Sequence, residues 1–86
     1  MAQGATLALP EYVTRLERAL KRSFPRAKVG FEQVRRDRYR FMVVWSGFDG
    51  MGHPERQEMV WNIADEVVPK KDILKVGMII TLGAKE

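Results

Sequence analysis

Apolar residues recur at two periods along this chain, and the change of period marks its elements. In PEYVTRLERALKRSF, Val13, Leu16, Leu20 and Phe24 fall at helical spacing, with Tyr12 and Ala19 flanking the stripe. Pro10 suits a first helical turn, where its missing N–H costs nothing, and Glu11 complements the helix dipole. Pro25 ends the run. Arg15, Arg18, Lys21 and Arg22 lie off the stripe and are expected to face water. The period then shortens to two. KVGFEQV reads as a strand with Val29 and Phe31 on one side, and Arg36-Asp37-Arg38 as a hairpin turn. YRFMVVWS is the strongest strand signal: Tyr39, Phe41, Val43 and Trp45 alternate onto one face, Arg40, Met42, Val44 and Ser46 onto the other. Both faces are partly apolar, which predicts an inner strand. Helical spacing returns in PERQEMVWNIADEVV, where Val60, Ile63 and Val67 form a stripe widened by Met59 and Ala64, between Pro54 in the first turn and Pro69 at the stop. Residues 70–74 read as a turn or a one-turn helix, and VGMIITL as the last strand. The predicted order is α–β–β–α–(short α)–β. That is an α+β domain in which a hairpin and a third strand form one sheet, with the helices on one face.

The length of 86 residues suits a single domain, predicted over residues 10–83, with 1–9 as a flexible N-terminus and 84–86 as a C-terminal tail. The absence of cysteine excludes a disulfide framework, thiol chemistry and a thiolate-ligated metal supplied by this chain alone. MAQGATLALPEY lacks a positive n-region and a long apolar run, and no stretch approaches the roughly 20 apolar residues of a membrane span, so a cytoplasmic protein is expected.

Charge changes the picture more than composition does. Ten basic residues against three acidic lie between Arg15 and Arg40, whereas the remainder carries five basic and eight acidic, for a net charge of +4. Such an uneven distribution can attract nucleic acid, an acidic protein face or anionic lipid; it also serves simply to solvate a small domain. The candidate phosphate contacts are Arg15, Arg18, Arg22, Arg35, Arg36, Arg38 and Arg40, joined by Lys70, Lys71 and Lys75 if the fold brings them alongside. Tyr39, Phe41 and Trp45 alternate beside these arginines as exposed base-stacking rings would. Aromatics at strand spacing are more often core.

The segment GFDGMGHPERQ concentrates three glycines and the only histidine. Gly47 and Gly50 fit a GxxG backbone clamp, but the loop leaves a strand rather than joining two helices, Asp49 repels phosphate, and no Gly-Lys-Ser/Thr follows. A strand-to-helix turn is the expected role. His53 has no cysteine or second histidine to complete a metal site, and no triad or paired-carboxylate spacing involves Asp49 or Glu55. Arg56 is expected to fix the loop by pairing with Glu55, Asp49 or a carbonyl. No nucleophile–base pair or cofactor motif appears, which argues against an enzyme.

RYRFMVVWSGFDGMGHPERQEMVWNIADEV resembles the central signature of the BolA-like family. The corresponding residues are Val43-Val44-Trp45-Ser46, Phe48-Asp49-Gly50, Arg56-Gln57 and the apolar-aromatic pair Val60-Trp61, and the resemblance runs from about Pro10 to Leu82. It implies an αββααβ fold related to the class II KH fold. It also implies one of two roles: transcriptional regulation through nucleic acid, or pairing with a monothiol glutaredoxin to share a [2Fe–2S] cluster. The family's cluster histidine near the start of the last strand corresponds to Lys75, whose ammonium must lose a proton before it can bind metal. His53 is the remaining ligand candidate. Trp61, at the edge of its helix stripe, is a candidate protein contact.

Overall fold

The computed structural model describes residues 9–85; the expected flexible N-terminus therefore lies, apart from Leu9, outside the described residues. Its elements are α1 (Glu11–Ser23), β1 (Lys28–Arg35), β2 (Arg38–Val44), α2 (His53–Val67) and β3 (Val76–Leu82), with 3₁₀ turns at Ser46–Phe48 and Ile73–Lys75. The second 3₁₀ turn occupies the place of the predicted short helix, so the order αββααβ holds. The sheet order is β1-β2-β3: β1 pairs antiparallel with β2, and β2 pairs parallel with β3. A parallel return requires a crossover, and α2 provides it. YRFMVV is thus the inner strand that its two partly apolar faces predict.

The helical stripe of α1 buries Tyr12, Val13, Leu16, Ala19 and Leu20, and Phe24 follows it into the core. Tyr39, Phe41 and Val43 alternate inward from β2 to meet it, joined by Val60 and Ala64 of α2 and by Val76 and Ile79 of β3. Ile63 and Val67, expected at the centre of the α2 stripe, are only half-buried, because the helix leans on Val60, Ala64 and Val68. Both helices pack on this face. The opposite face of the sheet is left open, with Met42, Met78 and Leu82 exposed.

The glycine-rich segment is the predicted turn. Phe48 drops into the core, in edge contact with Trp45 at 5.1 Å between ring centroids. Gly50 adopts φ 82°, in the left-handed region that favours glycine. Gly47 lies so close under the Trp45 indole that a Cβ there would overlap the ring. The Gly52 N–H donates to Glu55 Oε1 at 3.3 Å, and Pro54 occupies the first turn of α2. Arg56 fixes the loop as expected, through a carbonyl: its Nε–H donates to Met51 O at 2.9 Å.

The outer edge of β3 is partly closed by α2. The Trp45 N–H bonds Leu82 O, so Leu82 points its backbone toward β2 and the alternate residues Ile79 and Thr81 point theirs outward. Gln57 Nε2 donates to Ile79 O at 2.8 Å, and Arg56 reaches Thr81 O at 3.5 Å. These side chains take acceptors that a foreign strand would otherwise use.

Candidate functional site

Four of the predicted basic residues converge although three separate elements carry them. Arg15 comes from the first turns of α1, Arg36 from the hairpin turn, and Lys71 and Lys75 from the connection between α2 and β3. Together with Tyr12 and Tyr39 they line a cleft of about 350 Å³ at one end of the sheet. Local hydrogen bonds set each position. Gln33 Nε2 donates to Arg36 O at 2.7 Å and tightens the hairpin turn. Two successive backbone turns, Asp72 N–H to Pro69 O and Lys75 N–H to Asp72 O, carry the chain around the cleft after Pro69 stops α2.

The cleft is not uniformly positive, since Glu11, Asp37 and Asp72 also line it. Lys75 Nζ stands 3.2 Å from Asp72 Oδ1, so these two charges neutralise each other. Arg15, Arg36 and Lys71 form no ion pair among the described residues. The Tyr12 hydroxyl is buried and has no hydrogen-bond partner among the described residues. Burial raises its pKa above the ordinary tyrosine value, and the charges of Tyr39, Asp72 and Asp37 push in the same direction.

The other predicted contacts divide. Arg18 and Arg22 continue the exposed stripe of α1 from Arg15, three and seven residues on. Lys70 is exposed beside Lys71. Arg35 and Arg38 are partners at the turn end of the hairpin. Arg38 and Arg40 alternate with the buried Tyr39 and Phe41, and so leave from the opposite sheet face. Arg40 is engaged there: its Nε–H and Nη2–H donate to Glu32 Oε1 at 3.1 and 2.7 Å. The ten basic residues therefore do not share one surface.

The aromatic rings proposed for base stacking are core. Tyr39 and Phe41 are buried, and Trp45 packs against Phe24 and Phe48 while its Nε1–H donates to Pro25 O at 3.0 Å. Trp61 is half-buried and donates to Gln57 Oε1 at 3.1 Å, so its indole N–H is used within the chain.

Lys75, which the resemblance aligns with the family's cluster histidine, holds its ammonium 3.2 Å from Asp72 Oδ1, and among the described residues no group of three or more His, Cys, Asp or Glu could hold a metal from this chain alone. His53, the first residue of α2, is exposed and lines a different groove, beside Met78–Leu82. Among the described residues no helix is long and apolar enough to cross a membrane.

Sequence reasoning placed the cations but missed Tyr12 and Gln57. Tyr12 looked like the flank of an apolar stripe, and only the absence of a hydroxyl partner distinguishes it. Gln57 carries no periodic signal.

The architecture is similar to that of BolA1 from Arabidopsis thaliana, with a TM-score of 0.63 and 15% sequence identity over 87% of this chain and 92% of that chain. No protein-family model and no curated protein matches the sequence. At that identity the similarity is one of fold, and the chain has the BolA-like αββααβ fold.

Proposed function

We propose that this chain is a non-enzymatic BolA-like binding domain that contacts nucleic acid through the basic surface formed by α1 and the adjoining cleft. The observation that carries this reading is the convergence of Arg15, Arg36 and Lys71, from three elements and without an ion pair among the described residues, at the end of an exposed stripe that continues through Arg18 and Arg22. Such a surface neutralises phosphates and gives affinity without strong sequence preference. The rings of Tyr39 and Phe41 are withdrawn from it, so base stacking contributes little and salt dependence dominates. The test is fluorescence anisotropy of labelled single- and double-stranded oligonucleotides across a salt series. Saturable binding that weakens with salt, and that becomes both weaker and less salt-dependent on reversal of Arg18 and Arg22, supports the reading. No binding at low salt sinks it.

A protein partner is the second reading, favoured by the open sheet face, where Met42, Met78 and Leu82 are exposed. In that reading the domain is an adaptor that binds a monothiol glutaredoxin without supplying cluster ligands. A colourless complex on size exclusion that dissociates when Met42 and Met78 become glutamate supports it. A coloured complex dependent on His53 contradicts its cluster-free form.

A further inference from the structure

The two edges of the sheet differ. Gln57 and Arg56 take carbonyls on the outer edge of β3, whereas no group among the described residues bonds the outer edge of β1. The Trp45 N–H turns to β3, so by alternation Arg40, Met42 and Val44 turn their backbone groups to β1. Their register partners Glu32, Gly30 and Lys28 bond back to them. Val29, Phe31 and Gln33 therefore present their N–H and C=O groups outward. Neither a proline nor a bulge interrupts the strand from Lys28 to Gln33. Such an edge is a template for another strand.

What lies on either side of that edge selects the partner. On the helix side Val29 and Phe31 are only half-buried at the margin of the core. On the open side Lys28 and Glu32 are exposed, opposite in charge and four residues apart along one strand. Lys28 forms no ion pair among the described residues. Glu32 is held by Arg40 through Oε1, which leaves its Oε2 available. Gly30 lies midway between them. Its φ is not positive, and a Cβ there would meet nothing within 4 Å. Neither conformation nor packing inside the chain calls for glycine, which weakens a strand and often marks the close approach of another backbone.

We propose that β1 pairs antiparallel with β1 of a second copy of this chain, across a two-fold axis at Gly30. In that register Val29 and Phe31 of each copy exchange backbone hydrogen bonds with Phe31 and Val29 of the other, and their apolar side chains meet. Lys28 stands opposite Glu32 of the second copy, and the two-fold repeats the pair. Charge selects this register over its neighbours. Centring on Phe31 sets Lys28 against Val34, and centring on Glu32 sets like charges together. Pro25, without an N–H and with its carbonyl held by Trp45 Nε1, ends the pairing beyond Ala27. The contact needs none of the α1 arginines, so it stands apart from nucleic-acid binding.

The test is sedimentation of the full chain from micromolar to millimolar concentration, with amide hydrogen exchange on the same samples. A concentration-dependent dimer is expected, in which the Val29 and Phe31 amides exchange more slowly than in dilute solution. Lys28→Glu and Glu32→Lys alter exposed side chains, so each variant keeps its fold, which circular dichroism checks. Each weakens the homodimer roughly tenfold or more, because two attractive cross-strand pairs become repulsive. Mixed together, the two variants form a heterodimer, since every Lys then faces a Glu. A chain that stays monomeric at millimolar concentration overturns the proposal and leaves the edge to an extended segment of another protein. A dimer indifferent to Lys28→Glu overturns it too, as does one whose Val29 and Phe31 amides stay fast. Loss of oligonucleotide binding through Arg18 and Arg22 leaves sedimentation unchanged, so the two readings fail separately.

Discussion

Arg56 is 7% exposed, an unusual place for a guanidinium, and its surroundings explain why it is tolerated. It donates to Met51 O and Thr81 O and lies 5.7 Å from the centre of the Phe48 ring, joining the glycine-rich loop to the last strand. Arg56→Leu keeps the apolar contact but strands those carbonyls. A loss of about 2–3 kcal/mol is expected in urea unfolding, the cost typical of a buried charged hydrogen-bond hub. Gly47 acts through shape instead. Gly47→Ala pushes a methyl group into the Trp45 indole, and overpacking of that kind costs about 1–3 kcal/mol, with a change in the near-ultraviolet circular dichroism of tryptophan. Tyr12 acts through its proton. Burial raises its native pKa, and the charges of Tyr39, Asp72 and Asp37 push in the same direction, with Arg15, Arg36, Lys71 and Lys75 around the same cleft. The unfolded chain then loses that proton first as pH rises above about 10, the ordinary tyrosine value. Below that value the native state suffers no penalty; above it the unfolded state binds fewer protons and stability falls. Tyr12→Phe removes this part of the alkaline loss, which urea titrations at successive pH values measure.

At the scale of elements, periodicity was a reliable guide wherever one face of an element is buried. The spacing of Val13, Leu16, Leu20 and Phe24 found α1 and its buried side, and alternation from Tyr39 to Val43 found the inner strand. Periodicity says nothing of strand direction, so the parallel pairing of β3 was not legible. It also misjudged α2. Ile63 and Val67 share helical spacing with Val60, but contact with α1 and β3 selects the neighbouring line through Arg56, Val60 and Ala64. Of the site, the charges were legible and their convergence was not. Arg15, Arg36 and Lys71 meet only because the hairpin turn and the α2–β3 connection end beside the start of α1. Gln57 shows what lies beyond pattern reading. One amide accepts from Trp61 and donates to Ile79 O on the outer edge of β3. Gln57→Ala frees both partners and should loosen that edge. A roughly fivefold faster hydrogen exchange at Ile80 and Leu82 is expected, equivalent to about 1 kcal/mol for one lost hydrogen bond.

For the whole molecule the question is which of its charges a polyanion meets, since the fold distributes them over two sides of the sheet. Arg40 lies on the open face and is held by Glu32 at 2.7 Å, so its charge is already compensated before any ligand arrives. Arg18 and Arg22 are exposed on α1, and Arg15 connects them to the cleft. Binding along a single strand releases condensed counterions in proportion to the phosphates contacted, with a slope of about −0.7 per contact in log affinity against log salt. Arg18→Gln and Arg22→Gln should each reduce the magnitude of that slope by about 0.7 and weaken binding to all sequences alike. Arg40→Gln should leave both slope and affinity unchanged, because the surface it leaves is not the one engaged. Equal effects at Arg18 and Arg40 would show that the strand tracks the open sheet face instead. The apolar residues Met42, Met78 and Leu82 would then have to lie beneath it, an arrangement that offers phosphate no partner. The slope series thus tests the orientation of the domain on its ligand as well as the number of contacts, and it does so without relying on the Tyr12 cleft.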